Sequence, residues 1–235
     1  HFNLHKTFST PHGGGGPGAG PVGVAAHLIP FLPAPRIQKK DGSSVPGDER
    51  YFFDSNCPQS IGRVHSFYGN FGILVRAYTY IRRLGAEGLS AISRNTIINA
   101  NYLKKRLEAV YDIPMKRPCM HEFILSAKKF RNLDIHAWDI AKRLIDYGFY
   151  PPTVNFPLII PEALMIEAPE SEARETLDDF AEALINIRRE IDETPEKLKN
   201  APLSQEVGRM NEVLAARQLD VRYEAKDRSL PGEVK

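Results

Sequence analysis

The fold of this sequence is decided near its start, by Asn3-Leu4-His5-Lys6-Thr7-Phe8 and by the glycine-rich segment behind it, Pro11-His12-Gly13-Gly14-Gly15-Gly16-Pro17-Gly18-Ala19-Gly20-Pro21-Val22-Gly23. Glycine and proline at this density exclude a helix or a central strand. Residues 9–23 are therefore predicted to form an irregular loop whose backbone approaches another group closely. The first four residues alternate like the end of a strand, so Lys6 is expected in a strand-to-loop turn.

Lys6 is the candidate nucleophile of this turn. Leu4 and Phe8 flank it, and partial desolvation between apolar neighbours favours the neutral amine that forms a Schiff base with an aldehyde. His5 and Thr7 add an imidazole and a hydroxyl that can donate to a phosphate. On local chemistry alone, a solvent-facing lysine is the more common outcome.

Two nucleotide-binding interpretations of the glycines are weak. The pattern G-x-G-x-x-G occurs at Gly13/Gly15/Gly18 and again at Gly18/Gly20/Gly23, but Pro17 and Pro21 interrupt the helix that a dinucleotide site needs. No Gly-Lys-Ser/Thr sequence follows, so a Walker loop is absent.

Composition narrows the functional classes. The 235 residues carry a net charge of +2, from 31 basic and 29 acidic side chains, without a basic tract, so nucleic-acid binding is not expected. The apolar runs are too short to cross a bilayer, and no membrane role is expected. Cys57 and Cys119 form no metal spacing, so no metal site is predicted and a reducing compartment is favoured. The chain begins at His1 without Met, and we expect a fragment.

Periodicity predicts the remaining elements. Apolar residues at helical spacing predict a helix from Ser66 with a stop at Gly85, and a second helix from Leu89 to Leu107. Beyond these, a β-α-β-β-α order predicts a small α+β layer with a mainly antiparallel sheet. Its strands are predicted at 121–126, 155–160 and 163–167. Its first helix is predicted to begin at an Asp134 cap and to end at residue 147, with a hydrophobic staple between Leu133 and Trp138. Its second helix is predicted to span 177–191. The tail after Pro195 is expected to wrap the surface.

The lysine and glycine motifs quoted above closely resemble the cofactor-lysine signature of the glycine decarboxylase P-protein family. Similar stretches continue to about residue 200, at 60–64, 66–71, 77–88, 133–148, 151–154 and 163–167. The run Ser66-Phe67-Tyr68-Gly69-Asn70-Phe71 is closest to the two-subunit bacterial type. The resemblance implies an α/β fold class, the C-terminal portion of a transferase of the aspartate-aminotransferase-like fold type I, dependent on pyridoxal 5'-phosphate (PLP), with a small α+β C-terminal domain. It divides the chain into the end of the PLP-binding large domain (1–65), connecting helices (66–112), the small domain (113–200) and a tail (201–235).

The same resemblance implies a function. Lys6 would be the catalytic, PLP-bearing lysine, with His5 and Thr7 beside the cofactor, and a substrate or lipoyl channel would be formed by His12, Gly13, Gly14, Gly15, Gly16 and Gly18. The parent enzyme would decarboxylate glycine and pass the aminomethyl group to the lipoyl arm of H-protein. Its partners would be P-protein subunit 1 and H-protein, with T-protein and L-protein as further components of a cytoplasmic glycine cleavage system. Arg63, His65, Ser66 and Asn70 are weaker candidates for reaching the cofactor.

Two other interpretations stay open, a PLP-dependent decarboxylase or aminotransferase of different specificity, and a non-catalytic interaction module. The sequence also departs from the family pattern. Tyr150 stands where the family usually has His, and Ala168-Pro169 stands where it commonly has Pro-Thr. The acidic partner of the pyridine nitrogen and the ring-stacking histidine would precede His1, so we expect the chain by itself to be inactive.

Overall fold

The computed structural model describes residues 1–10, 18–40, 51–66 and 68–222. The chain divides into two compact units, an N-terminal unit of His1–Leu89 and a C-terminal unit of Ser90–Lys235. They differ in how much they bury. Among the described residues of the N-terminal unit only Thr10 and Ala77 are buried, whereas the C-terminal unit contains a continuous hydrophobic core.

The N-terminal unit begins with backbone pairing rather than with a strand. Phe2 N–H donates to Pro21 O at 3.1 Å and Leu4 N–H donates to Ala19 O at 3.0 Å, so the start of the chain lies beside the end of the glycine-rich segment. Residues 4–8 form turns, and the predicted strand end is not an assigned strand. A 3-10 turn, Ala26–Phe31, follows.

A short hairpin, which was not predicted from the sequence, comes next in this unit. Strands β1 (Arg36–Lys39) and β2 (Tyr51–Asp54) pair antiparallel, with Ile37 opposite Phe53. Most of its side chains are exposed, including Ile37 and Phe53. An isolated two-stranded hairpin is marginally stable in water, so this element depends on packing beyond its own pairing.

Helix α1 runs from Phe71 to Leu107 and is broken inside. Gly85 has φ 63° and ψ −172°, a conformation that is essentially restricted to glycine and incompatible with a helix. The predicted stop at this glycine is confirmed. The predicted start at Ser66 is wrong, because Gly69 has a φ of 102°, which keeps the preceding residues out of the helix.

The C-terminal unit is built on a three-stranded antiparallel sheet in the order β3-β5-β4. Its strands are β3 (Glu122–Ser126), β4 (Thr153–Val154) and β5 (Ala163–Glu167). Register is set by alternation, since Phe123, Leu125, Leu164 and Ile166 are buried while the intervening Ile124 and Met165 stay half-exposed.

The predicted strand at 155–160 is wrong. Asn155 takes a left-handed conformation with φ 57°, and Ile160 N–H donates to Pro157 O at 3.0 Å in a turn. Leu158 and Ile159 are 88% and 79% exposed, so these apolar side chains lie outside the core of this unit. The pairing that was expected there is made instead by the two residues of β4.

Helices α2 (Ala137–Asp146) and α3 (Arg174–Glu193) supply much of the core. Ile140, Leu144, Leu184 and Ile187 are fully buried. The β3-α2-β4-β5-α3 order confirms the predicted β-α-β-β-α arrangement. Gly148, with φ 83°, follows the end of α2 as predicted.

The predicted cap of α2 is wrong. Asp134 has a φ of 56° and follows a 3-10 turn, Lys128–Leu133, while the N-cap of the helix is His136. The backbone N–H of His136 donates to the Asp139 carboxylate at 2.7 Å, which satisfies one donor at the helix start. Leu133 and Trp138, the proposed staple pair, remain 41% and 48% exposed.

The tail after Pro195 was expected to lie on the surface, but part of it is buried. Helix α4 (Pro195–Asn200) places Leu198 and then Ala201 at full burial, so this part of the tail belongs to the core. A last short helix, α5 (Glu212–Arg217), carries no buried residue. None of the helices within the described ranges combines the length and the apolar character needed to cross a membrane.

Candidate active site

The turn at residues 4–8 exposes the candidate lysine. Lys6 and Thr7 are exposed, whereas Leu4, His5 and Phe8 are half-buried. The Lys6 N–H donates to Asn3 O at 3.1 Å, which closes the turn. The side chain of Lys6 is therefore accessible to a reagent, and the desolvation expected from Leu4 and Phe8 is not found.

The end of the glycine-rich segment approaches the start of the chain closely. A Cβ at Gly20 would lie 1.7 Å from the carbonyl oxygen of Phe2, so no side chain fits there. Gly18, by contrast, has open space around the position of a Cβ. The close approach predicted for this loop is thus located at Gly20. Of the proposed channel residues, His12 and Gly13, Gly14, Gly15 and Gly16 lie outside the described residues.

Below this pairing is a groove of about 450 Å³. It is lined by Leu4, Gly18, Ala19, Gly20, Pro21, His65, Tyr68, Gly69 and Leu74. The ring of Tyr68 stacks on Phe53 with centroids 4.7 Å apart. Tyr68 was not singled out from the sequence, because its contact with the distant β2 strand follows only from the tertiary fold.

Helix α1 also contacts the lysine turn. The Nε of Arg76 donates to Ser9 O at 2.6 Å, which links the end of the turn to the first half of the helix. Next to it Thr10 is buried, with 6% exposure, and its hydroxyl has no hydrogen-bond partner among the residues that the structure describes. A buried hydroxyl in this state can still donate to a group that binds at the turn.

The C-terminal unit has a separate cleft of about 410 Å³. Phe149, Leu177 and Phe180 give it an apolar wall, and Thr153 and Glu167 line its polar side. Both departures from the family pattern lie in its lining, Tyr150 and Ala168-Pro169. These substitutions therefore alter one surface, although they are separated along the chain.

Carboxylates with lowered pKa values stabilise the packing of the C-terminal unit. Burial alone would raise the pKa of Glu162, but bonds donated by Ala137 N–H, His136 and Arg131 outweigh burial and lower that pKa. Through these bonds Glu162 joins the start of β5 to the start of α2.

A second charged cluster joins α2 to α3. Arg143 donates through Nε and Nη2 to both oxygens of Glu190, at 2.9 and 2.8 Å. The bond from Arg143 lowers the pKa of Glu190, and the reciprocal bond raises the pKa of Arg143. Bidentate pairs of this geometry fix two helices relative to one another.

Comparison with known proteins identifies the family. The family model described as glycine dehydrogenase, C-terminal domain, matches residues 92–225. The chain belongs to this family. Proteins named probable glycine dehydrogenase (decarboxylating) subunit 2 are similar to it, at 55% identity over 95% of the chain in Caldanaerobacter subterraneus subsp. tengcongensis and at 52% over 96% in Shouchella clausii. The chain spans 44% and 45% of the lengths of these two relatives.

A solved structure supports the fold of this glycine dehydrogenase family member. The crystal structure of glycine decarboxylase (P-protein) of the glycine cleavage system, in inhibitor-bound form, aligns with 69% of the chain and 37% of that protein, with a TM-score of 0.54 and 19% identity. The predicted fold class is confirmed, namely α/β, the C-terminal portion of a fold type I transferase with a small α+β domain.

Proposed function

We propose that the chain is the C-terminal part of a PLP-dependent glycine decarboxylase, in which Lys6 carries the cofactor. The observation that carries the proposal is the accessible Lys6 in a turn beside the backbone of residues 18–21, in a member of the glycine dehydrogenase family. An amine that is to hold an aldehyde cofactor must be reachable by it.

The residues around this turn fit the cofactor. Lys6 would hold the aldehyde carbon, the hydroxyl of Thr7 would donate to the phosphate and His5 would lie beside the ring. The unpaired hydroxyl of the buried Thr10, two residues beyond this turn, supplies a further donor. Bound PLP supplies an electron sink for the electron pair that remains when a carboxylate leaves as CO2.

The chain's own part in the reaction is to position the reacting amine. Half-buried Leu4 and Phe8 flank the lysine, and the rings of Phe8 and Phe2 pack in a T-shaped arrangement with centroids 6.3 Å apart. These apolar contacts help to hold the turn that presents the exposed side chain of Lys6. The channel proposed for a lipoyl arm, His12, Gly13, Gly14, Gly15, Gly16 and Gly18, is supported by the open space at Gly18.

The remaining assignments belong to the same proposal. Residues 1–65 would end the large domain, residues 66–112 would connect it to a small domain at 113–200, and residues 201–235 would form a tail. The full enzyme would act on glycine with subunit 1 and lipoylated H-protein, in a cytoplasmic system that includes T-protein and L-protein. The name subunit 2 of the relatives supports a companion subunit.

The test is Lys6→Ala in the full-length subunit assembled with its companion subunit. Wild-type enzyme is expected to take up PLP and to show a visible absorbance band that borohydride abolishes by reduction, and the variant is expected to lose that band. Lys39→Ala, at an exposed lysine of β1, is the matched control and should keep it. A borohydride-sensitive band that survives in Lys6→Ala refutes the assignment.

Activity assays separate the open alternatives. Glycine–bicarbonate exchange that depends on lipoylated H-protein is expected for the proposed enzyme. Exchange with another amino acid, and none with glycine, would instead identify a PLP enzyme of different specificity. Binding to the companion subunit without any PLP uptake would identify an interaction module.

A further inference from the structure

Three potential metal ligands meet at one end of the sheet in the C-terminal unit. One donor atom each from His121, Glu122 and Glu167 lie within 4.8 Å of one another. Glu122 and Glu167 are directly opposite partners in the antiparallel pair β3–β5, and His121 immediately precedes β3. The sheet register therefore holds two carboxylates side by side, at a place that is fixed by the core beneath it.

The charges of this trio are unbalanced. Like charges directly opposite each other on neighbouring strands destabilise a sheet. The ring of His121 lies 3.7 Å from the Glu122 carboxylate, and no lysine or arginine within the described ranges forms an ion pair with Glu122 or Glu167. Other acidic groups of the unit do have such partners, as Glu162 has Arg131 and Glu190 has Arg143. The opposed pair thus lacks the counter-charge that the same unit provides elsewhere.

The donor types indicate which cation would restore the balance. An imidazole nitrogen and two carboxylate oxygens suit a borderline divalent metal such as zinc, whereas magnesium and calcium prefer oxygen donors alone. Zinc with bonds of about 2.0–2.2 Å needs donors about 3.3 Å apart, so donor atoms that lie within 4.8 Å of one another must close by at most about 1.5 Å. All three side chains are at least partly exposed and have room to do so.

We propose that His121, Glu122 and Glu167 form a binding site for a divalent transition-metal ion, with zinc as the preferred probe. Three protein ligands leave at least one coordination position open for water or another donor. Glu167 also lines the cleft with Tyr150 and Thr153, so the ion lies at the edge of that cleft. Residue spacing along the chain does not reveal this site, because Glu167 is far from His121 and the strand register brings them together.

The experiment is a zinc titration of the metal-free 235-residue chain, followed by calorimetry and, with cobalt in place of zinc, by visible absorbance. One equivalent is expected to bind, and His121→Ala, Glu122→Gln and Glu167→Gln should each weaken binding at least tenfold. Glu172→Gln is the matched control, since Glu172 lines the same cleft outside the trio. Its affinity is expected to equal that of the unsubstituted chain.

Thermal unfolding gives an independent readout that does not involve catalysis. Zinc should raise the unfolding midpoint of the unsubstituted chain but not that of Glu122→Gln, because only the native trio binds the ion. Without metal, Glu122→Gln should unfold no earlier than the unsubstituted chain, since the substitution removes the repulsion between the two carboxylates. Zinc affinity that is unchanged in all three trio variants, or equal affinity for magnesium that survives His121→Ala, overturns the proposal.

Discussion

Asp146, at the end of α2, is a polar side chain whose loss should weaken the C-terminal unit. Its Oδ1 accepts bonds from the N–H groups of Leu203 and Ser204, both at 2.7 Å, and from the hydroxyl of Ser204 at 2.8 Å. Its Oδ2 accepts a bond from Arg143 at 2.9 Å, and the carboxylate is only 4% exposed. One buried anion therefore attaches the tail to α2 and also balances Arg143.

The substitution Asp146→Asn keeps the shape and removes the charge. An asparagine amide has one oxygen that accepts and one NH2 group that donates. If the oxygen faces the tail, the NH2 group opposes Arg143; if the oxygen faces Arg143, the NH2 group opposes the donors of the tail. In either orientation, one of these two groups of donors loses its acceptor. Hydrogen bonds to charged groups contribute about 1.5–3 kcal/mol each, and breaking a buried ion pair costs about 3–5 kcal/mol. Because water can reach the exposed tail, we expect a loss of about 2–3 kcal/mol in the free energy of unfolding.

The measurement is urea denaturation of the full chain, followed by circular dichroism, together with amide hydrogen exchange at Leu203 and Ser204. Asp192→Asn is the matched control, because Asp192 pairs with Arg188 at 2.6 Å on the helix surface and is 58% exposed. An exposed pair of this kind contributes under about 1 kcal/mol. A loss below about 0.5 kcal/mol for Asp146→Asn, with both amides as protected as before, would show that the carboxylate does not hold the tail.

The pH dependence of this anchor follows from its pKa. Burial alone would raise the pKa of Asp146, but the bonds from Ser204 and Arg143 outweigh burial, and the net pKa lies below its usual 3.8. The unfolded chain therefore binds the proton more tightly than the folded chain. The stabilisation by Asp146 is present above pH 3.8 and is lost as the pH falls through the lower, folded-state value.

Two further predictions concern backbone approach and a histidine. Gly20→Ala should increase amide hydrogen exchange across residues 2–4, since its Cβ would overlap a carbonyl oxygen, whereas Gly18→Ala, with open space around it, should not; equal exchange in the two variants would contradict this. Glu162→Gln should lower the pKa of His136 towards 6.5, because the hydrogen bond that the His136 ring donates to the Glu162 carboxylate is the main cause of its upward shift. The stabilisation by His136 is present below pH 6.5 and is lost as the pH rises through the folded-state value, while that by Glu162 is lost as the pH falls below 4.5. An NMR titration of the His136 ring checks the shift, and an identical pKa in variant and wild type would rule out the pairing.

Periodicity predicted the elements that bury one face. Strand β5 and helix α3 lie where alternation and helical spacing placed them, because both present a continuous apolar side to the core. The glycines at 85 and 148 were also predicted, since each takes a positive φ that other residues avoid. These features are determined by residues that are close together in the sequence, so they can be predicted without a structure.

The predictions of secondary structure that are wrong lie where tertiary contacts determine the backbone conformation. Asp134 has the side chain of a helix cap, yet the bonds that order the start of α2 come from Asp139 and from Glu162, which is distant in sequence. Residues 155–160 have the composition of a strand, but Asn155 turns the backbone away from the sheet. Composition alone cannot distinguish these outcomes.

The candidate site was predicted in part. Lys6 was selected through the family resemblance, and its exposure could not be read from Leu4 and Phe8, which are only half-buried themselves. The groove depends on a fold that brings His65, Tyr68 and Gly69 near residues 18–21. The cluster of His121 with Glu122 and Glu167 likewise depends on strand register rather than on sequence spacing.

The unequal burial of the two units affects how any denaturation curve of this chain is interpreted. Heat-capacity change and denaturant sensitivity scale with the surface that unfolding exposes, and almost all of the deeply covered surface among the described residues belongs to the C-terminal unit. A cooperative transition therefore reports on the half that carries Asp146. The half that carries Lys6 can change conformation almost without calorimetric signal, and its integrity has to be followed with a local probe.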